Sequence, residues 1–206
     1  MTLKDHLRSL TDKKPPPNPE PSPEPTSDRP VALGQVKESL VTIAADEKTG
    51  KGFMVDGEGK VVTNFQLVNS AVRIKVTTLS GDVFLGKITR LDKGRDLALI
   101  QIPVKTPRYL TLGDVSTVDV GEDVFVLGSS SGAGGLIKAV ISALRVIEGT
   151  ALIQVDRPID PDNSGSPFVT EQGTVVGIAS YRMGQQDDNV GFAVSVKELK
   201  AFISGQ

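Results

Sequence analysis

The sequence predicts an all-β fold: two six-stranded antiparallel β-barrels packed side by side, closed by one C-terminal helix. Three observations predict it. Twelve short runs rich in β-branched and aliphatic residues follow Val36, separated by clusters of Gly, Asp, Asn and Ser. A Pro-punctuated connector from Pro103 to Gly121 divides them six and six. Within this region a helical period longer than a turn or two appears only after Ser195.

In chain order, the first barrel (about 36–102) takes Leu40 to Ala45, Gly52 to Val55, Val61 to Asn64, Val72 to Leu79, Val83 to Leu91 and Leu97 to Ile102. Asp56-Gly57-Glu58-Gly59 and Ser80-Gly81-Asp82 supply turns, because Gly and Asp tolerate φ > 0. After the connector (103–121), the second barrel (122–194) takes Asp123 to Leu127, Leu136 to Ile147, Ala151 to Val155, Pro167 to Thr170, Val175 to Tyr181 and Val190 to Val194. Ser195 and Glu198 have the spacing of a capping box, opening a helix over 195–203 with Val196, Leu199 and Phe202 on one face.

Residues 31–206 therefore form the folded domain, and residues 1–30 a leader and tail. Eight of the twenty residues from Thr11 to Pro30 are Pro, a composition that favours extended polyproline-type chain and cannot build a core. Ahead of them Leu3, Leu7 and Leu10 fall on one helical face too short to be stable alone.

Composition removes several kinds of chemistry. The 206 residues contain no Cys, which excludes a disulfide scaffold, a thiol nucleophile and thiolate metal sites. A single His, His6, leaves one imidazole for acid/base work and no multi-histidine metal site, so no metal or cofactor is expected. The balance of 23 Lys+Arg against 25 Asp+Glu gives no broad field for nucleic acid. No run approaches the length of a membrane span, and the first ten residues lack the apolar region of a signal peptide, so the chain taken as complete reads as cytoplasmic.

One turn can carry chemistry. Asp162-Asn163-Ser164-Gly165-Ser166-Pro167 lies between the third and fourth strands of the second half. A Ser on a tight strand-to-strand corner can project its hydroxyl beside converging backbone N–H groups, which suits a nucleophile next to an oxyanion hole. Two other features ask for less. The glycine-rich Gly128 to Gly135 lacks the Lys-Ser/Thr ending of a phosphate loop and reads as a plain loop, and Asp187-Asp188-Asn189 reads as a polar hairpin tip.

From Val36 to Ile203 the chain resembles the trypsin-like serine proteases, and among them the bacterial HtrA/DegP type. Gly50-Lys51-Gly52-Phe53 is similar to the family's Gly-Ser-Gly-Phe strand, and Thr63-Asn64-Phe65-Gln66-Leu67-Val68 to its Thr-Asn-Asn-His-Val-Val segment. Gly94-Arg95-Asp96-Leu97-Ala98-Leu99 resembles the segment with the triad Asp, and Asn163-Ser164-Gly165 the one with the nucleophile. Val176 to Ala179 and Val190 to Ala193 resemble strands lining the cleft. The resemblance implies Ser164 as nucleophile, Asp96 as the orienting carboxylate, an oxyanion hole at Asp162, Asn163 and Ser164, and a substrate cleft along Gly177, Ile178, Ala179 and Ser180.

The pattern departs at the base. Gln66 stands where the family has His, and an amide cannot accept a proton near neutral pH, although it could hydrogen-bond to both Asp96 and Ser164. Asp162 replaces the Gly two residues before the Ser, which restricts the backbone and sets a carboxylate near a developing oxyanion. Ser166 replaces a second Gly.

These readings lead to a catalytically inactive pseudo-protease that binds peptide or unfolded protein segments between the barrels, where main-chain pairing needs no catalytic group. Two alternatives stand beside it: an active serine endopeptidase with Ser164 and a non-standard base, and a scaffold whose Pro-rich tail engages a partner. The resemblance points to the bacterial envelope.

Overall fold

A computed structural model of the chain describes residues 36–106, 108–114, 118–127, 135–184 and 189–205. The leader and Pro-rich tail, most of the glycine-rich loop and Asp187-Asp188 lie outside the described residues.

The first half holds β1 (Leu40–Ala45), β2 (Lys48–Met54), β3 (Lys60–Thr63), a short helix α1 (Phe65–Val68), β4 (Ile74–Thr78), β5 (Val83–Leu85), β6 (Lys87–Asp92) and β7 (Leu97–Gln101). These strands form one curled antiparallel sheet in the order β5-β4-β1-β2-β3-β7-β6. Seven strands stand here because the run from Val83 to Leu91 is broken at Gly86. Its N–H bonds the Ile74 carbonyl at 2.9 Å, one step beyond the Lys75–Leu85 pair, and a Cβ there would lie 2.6 Å from Ile100 Cγ2. Only a residue without a side chain can dip so far into the core. The two edges of the sheet, β5 and β6, are thus joined by this one residue.

The second half is a closed barrel of β8 (Asp123–Leu127), β9 (Leu136–Ile147), β10 (Thr150–Val155), β11 (Pro167–Val169), β12 (Val175–Ala179) and β13 (Gly191–Ser195), in the order β10-β13-β12-β11-β8-β9. The connector is stitched to both halves, since Leu110 N–H bonds Met54 O at 2.9 Å and Gly113 N–H bonds Val175 O at 2.8 Å.

Helix α2 (Val196–Ser204) buries Val196, Leu199 and Phe202, as its apolar spacing predicts. They join a cluster that takes Phe53, Val62 and Leu97 from the first sheet and Leu152, Ile178 and Val194 from the barrel. Each large side chain buried there contributes roughly 1.5–3 kcal/mol, so one core holds the two halves in register. The expected capping box is not formed. Ser195 makes no side-chain cap bond, and Glu198 is drawn elsewhere: Oε1 accepts the Ala151 N–H at 3.2 Å and Oε2 pairs with Arg95 Nε at 2.9 Å. The carboxylate ties the helix to β10 and to the β6–β7 turn, where a cation outcompetes a backbone cap.

Candidate active site

Three loops deliver the site to the seam between the halves. The first follows β3. Thr63 Oγ1 donates to the Lys51 carbonyl at 2.6 Å, Asn64 is buried, and α1 begins at once, so that Gln66 sits half-buried at the seam. The second is the β6–β7 turn. Asp96 occupies it with φ 56°, a left-handed conformation that Asp tolerates better than most side chains, and its side chain is wholly buried. The third joins β10 to β11. A 3₁₀ turn over Pro161–Asn163 precedes Ser164, and Gly165 has φ 86°. Gly165 N–H bonds Ala179 O at 2.9 Å, and Lys51 N–H bonds Ser164 O at 3.3 Å, so this corner is pinned to both halves.

The three sequence-predicted positions converge. Gln66 Nε2 donates to Ser164 Oγ at 3.3 Å, and the backbone N–H of Gln66 donates to Asp96 Oδ1 at 3.1 Å. The amide side chain therefore meets Ser164 alone, while Asp96 is reached through the main chain. Ser164 Oγ donates to Asn64 Oδ1 at 2.6 Å and accepts the Tyr181 N–H at 3.2 Å. Its one proton is thus directed at an amide oxygen, which has no basicity at neutral pH.

Asp96 is held by the opposite half. Ser180 Oγ donates to Oδ2 at 2.7 Å, and Arg182 Nε lies 3.7 Å from Oδ1. Burial pushes the Asp96 carboxyl above the usual carboxylate range, and the bonds from Ser180 and Gln66 and the Arg182 charge pull it part of the way back.

The segment expected to form an oxyanion hole is wound into the 3₁₀ turn. Asn163 N–H bonds Asp160 O at 2.9 Å and Ser164 N–H bonds Pro161 O at 3.1 Å, so both amides point back into their own turn. Asp162 is exposed and does not have positive φ. A side chain there disfavours the left-handed geometry, and the backbone has taken the relaxed alternative.

Of the expected cleft residues, Gly177, Ile178 and Ala179 are buried within β12, whose register runs Gly177 against Ser195 and Ile178 against Val194 on one side and Ile178 against Pro167 on the other. The Ser180 hydroxyl turns in to Asp96. The open space beside Ser164 lies on the other side, against β2 and α1: a cavity of about 450 Å³ reached by Gln66, Asn64, Lys48, Asn69 and Tyr181.

The family model for the trypsin-like peptidase domain matches residues 50–178. The chain belongs to the trypsin-like peptidase family. A probable periplasmic serine endoprotease DegP-like of Chlamydia muridarum is 32% identical over 162 residues, covering 76% of this chain and 33% of that protein. The magnetosome formation protease MamE of Paramagnetospirillum magneticum is 36% identical over 171 residues, covering 76% of this chain and 23% of its own. This chain thus spans a third or less of these two relatives. The solved structure of the HtrA-type protease AlgW with tripeptide superposes with a TM-score of 0.73 at 24% identity, over 86% of this chain and 64% of that one, a likeness of fold.

Within this trypsin-like peptidase fold, two polar contacts were not legible in the sequence. Asn64 accepts the Ser164 proton, and Arg182 reaches across the seam, its Nη2 donating to the carbonyls of Lys93 and Gly94 at 3.0 Å each. Asn64 falls inside the Thr-Asn segment that marked the base position, which is a signal of sorts. Nothing about Arg182 marks it in the sequence.

Proposed function

We propose that this chain is a non-catalytic trypsin-like peptidase domain, a pseudo-protease that binds peptide or unfolded protein segments at the seam between its halves. The observation that carries the reading is the direction of the hydrogen bonds at Ser164: Gln66 donates to the hydroxyl, and the hydroxyl donates to Asn64 Oδ1. A general base must accept the serine proton as the oxygen attacks, and neither amide can. Loss of the histidine from a working triad costs on the order of 10⁶-fold in kcat. The inward-turned amides of Asn163 and Ser164 support the same reading, because a developing oxyanion needs donors aimed at it before the reaction begins. Peptide binding draws support from the cavity beside Ser164 and from the tripeptide on the structural relative. The periplasmic relative favours the bacterial envelope as its location.

The test is labelling with an active-site-directed fluorophosphonate together with digestion of unfolded casein. No labelling and no cleavage are expected; labelling at Ser164 that disappears in Ser164→Ala would replace this reading with that of an endopeptidase using an unorthodox base.

A further inference from the structure

We propose that the cavity beside Ser164 is a carboxylate-recognition site, which takes a peptide by its C-terminal carboxylate or by an Asp or Glu side chain. The proposal rests on the peptide-binding reading above and names the chemistry by which the peptide is held.

The lining is a set of donors around one cation. Lys48 Nζ donates to the Gln66 carbonyl at 3.1 Å beside the cavity and makes no other hydrogen bond among the described residues, which leaves two of its three protons for a ligand. The second Nε2 proton of Gln66, the Asn69 amide and the Tyr181 hydroxyl make no hydrogen bond among the described residues, and all three residues line the same space. Ser164 and Asn64 are already committed to each other and leave the recognition to these groups.

Among the described residues no carboxylate lines the cavity. Glu47, Asp160 and Asp162 neighbour Lys48 and Pro161 in sequence but stand outside the lining, and the Asp46 carboxylate is occupied by the N–H groups of Val72 and Arg73. A ligand that brings its own negative charge therefore meets a cation and neutral donors. A neutral amide would gain only ordinary hydrogen bonds, about half as strong as charge-assisted ones. A volume of about 450 Å³ lies within the usual range for small-ligand sites and suits one or two residues of an extended chain.

The experiment is fluorescence anisotropy with one fluorescein-labelled hexapeptide in three forms: free acid, C-terminal amide, and amide with one internal Glu. The amide is expected to bind about tenfold more weakly than at least one carboxylate form. Tighter free acid assigns the peptide terminus, and tighter Glu peptide assigns the acidic side chain. Lys48→Ala should erase the difference and Asn69→Leu should reduce it; both residues are exposed, so both variants should fold. Equal binding of all three forms overturns this proposal and leaves peptide binding standing. If none binds, a ¹⁵N chemical-shift titration with N-acetylglycine separates the two claims. Shifts at Lys48 and Asn69 that vanish in Lys48→Ala would keep the carboxylate site and reject the peptide reading, and no shifts would reject both.

Discussion

Arg182, from the barrel half, lies with Nε 3.7 Å from the carboxylate of Asp96, a wholly buried group that belongs to the first sheet. In this family an imidazole would face that carboxylate across the triad; here the only side-chain cation paired with it among the described residues is a guanidinium from the opposite half, which also clasps Lys93 O and Gly94 O. The buried charge thus serves as a tie between the halves. At 3.7 Å the Nε contact is an ion pair without a hydrogen bond, and with Arg182 about one-third exposed it contributes at most about 1 kcal/mol, the two Nη2 bonds to carbonyls adding to it. Arg182→Met is expected to cost about 1–2 kcal/mol in urea unfolding. The same change in an Asp96→Asn background should cost about 0.5–1 kcal/mol less, and strict additivity would show that the tie is not electrostatic.

The same carboxylate sets a pH dependence. Burial is the largest influence on it and raises its pKa in the folded state above the ordinary value of 3.8. Below that value the group is protonated in both states and carries no penalty. As pH rises through the folded pKa it must ionise in a buried site, and stability is lost. Asp46 and Asp56 act in the opposite sense. Backbone bonds from Val72 and Arg73 lower the Asp46 pKa, and bonds from Lys60 and Glu58 outweigh burial to lower that of Asp56, so their contributions are present at neutral pH and fade in acid. Asp96→Asn should therefore gain thermal stability relative to the unmutated protein as pH rises from about 4 to 7. A constant difference in Tm across that range would show that Asp96 is not desolvated as described.

How far the sequence could be read depended on what each feature needs. The limits of β1, β8 and β9 coincide with the runs predicted from apolar spacing, because strand pattern and turn residues agree there. The convergence of Asp96, Gln66 and Ser164 followed from motif resemblance. Hydrogen-bond direction did not, because the same Gln66 could have faced Asp96, and only packing shows that its main chain does so instead. The break at Gly86 is equally illegible, since it depends on Ile74 and Ile100 lying beneath it. Ser195 and Glu198 carried a local signal that a long-range cation overrode.

Gly165 offers a test of the corner that presents Ser164. Its φ of 86° is one that L side chains rarely adopt, and an added Cβ would collide with the carbonyl oxygen of Lys51. Left-handed strain costs about 1–2 kcal/mol, and overpacking against backbone adds about 1–3 kcal/mol. Gly165→Ala should lower Tm by roughly 5–15 °C in calorimetry. A drop of less than a degree would mean that the corner can relax, and that Ser164 is held less firmly than its bonds to both halves indicate.

On the non-catalytic reading proposed above, Gln66→His alone should not yield a protease. A histidine at position 66 could take up the bond to Ser164, but Ser164 N–H would still be spent on Pro161 O and Asn163 N–H on Asp160 O. An oxyanion-hole donor is worth about 10²–10³ in kcat, so the single change leaves the transition state without its charge stabilisation. Asp162→Gly removes the side chain that disfavours the turned-over backbone and opens the route to a hole. Gln66→His alone should therefore label with fluorophosphonate barely above background, and Gln66→His combined with Asp162→Gly should label at Ser164 at least tenfold faster. If the single variant labels as fast as the double, the 3₁₀ turn rearranges without help and Asp162 is no obstacle. If neither labels, the Ser164–Asn64 bond is the deeper block, and adding Asn64→Ala is the change that should release the hydroxyl.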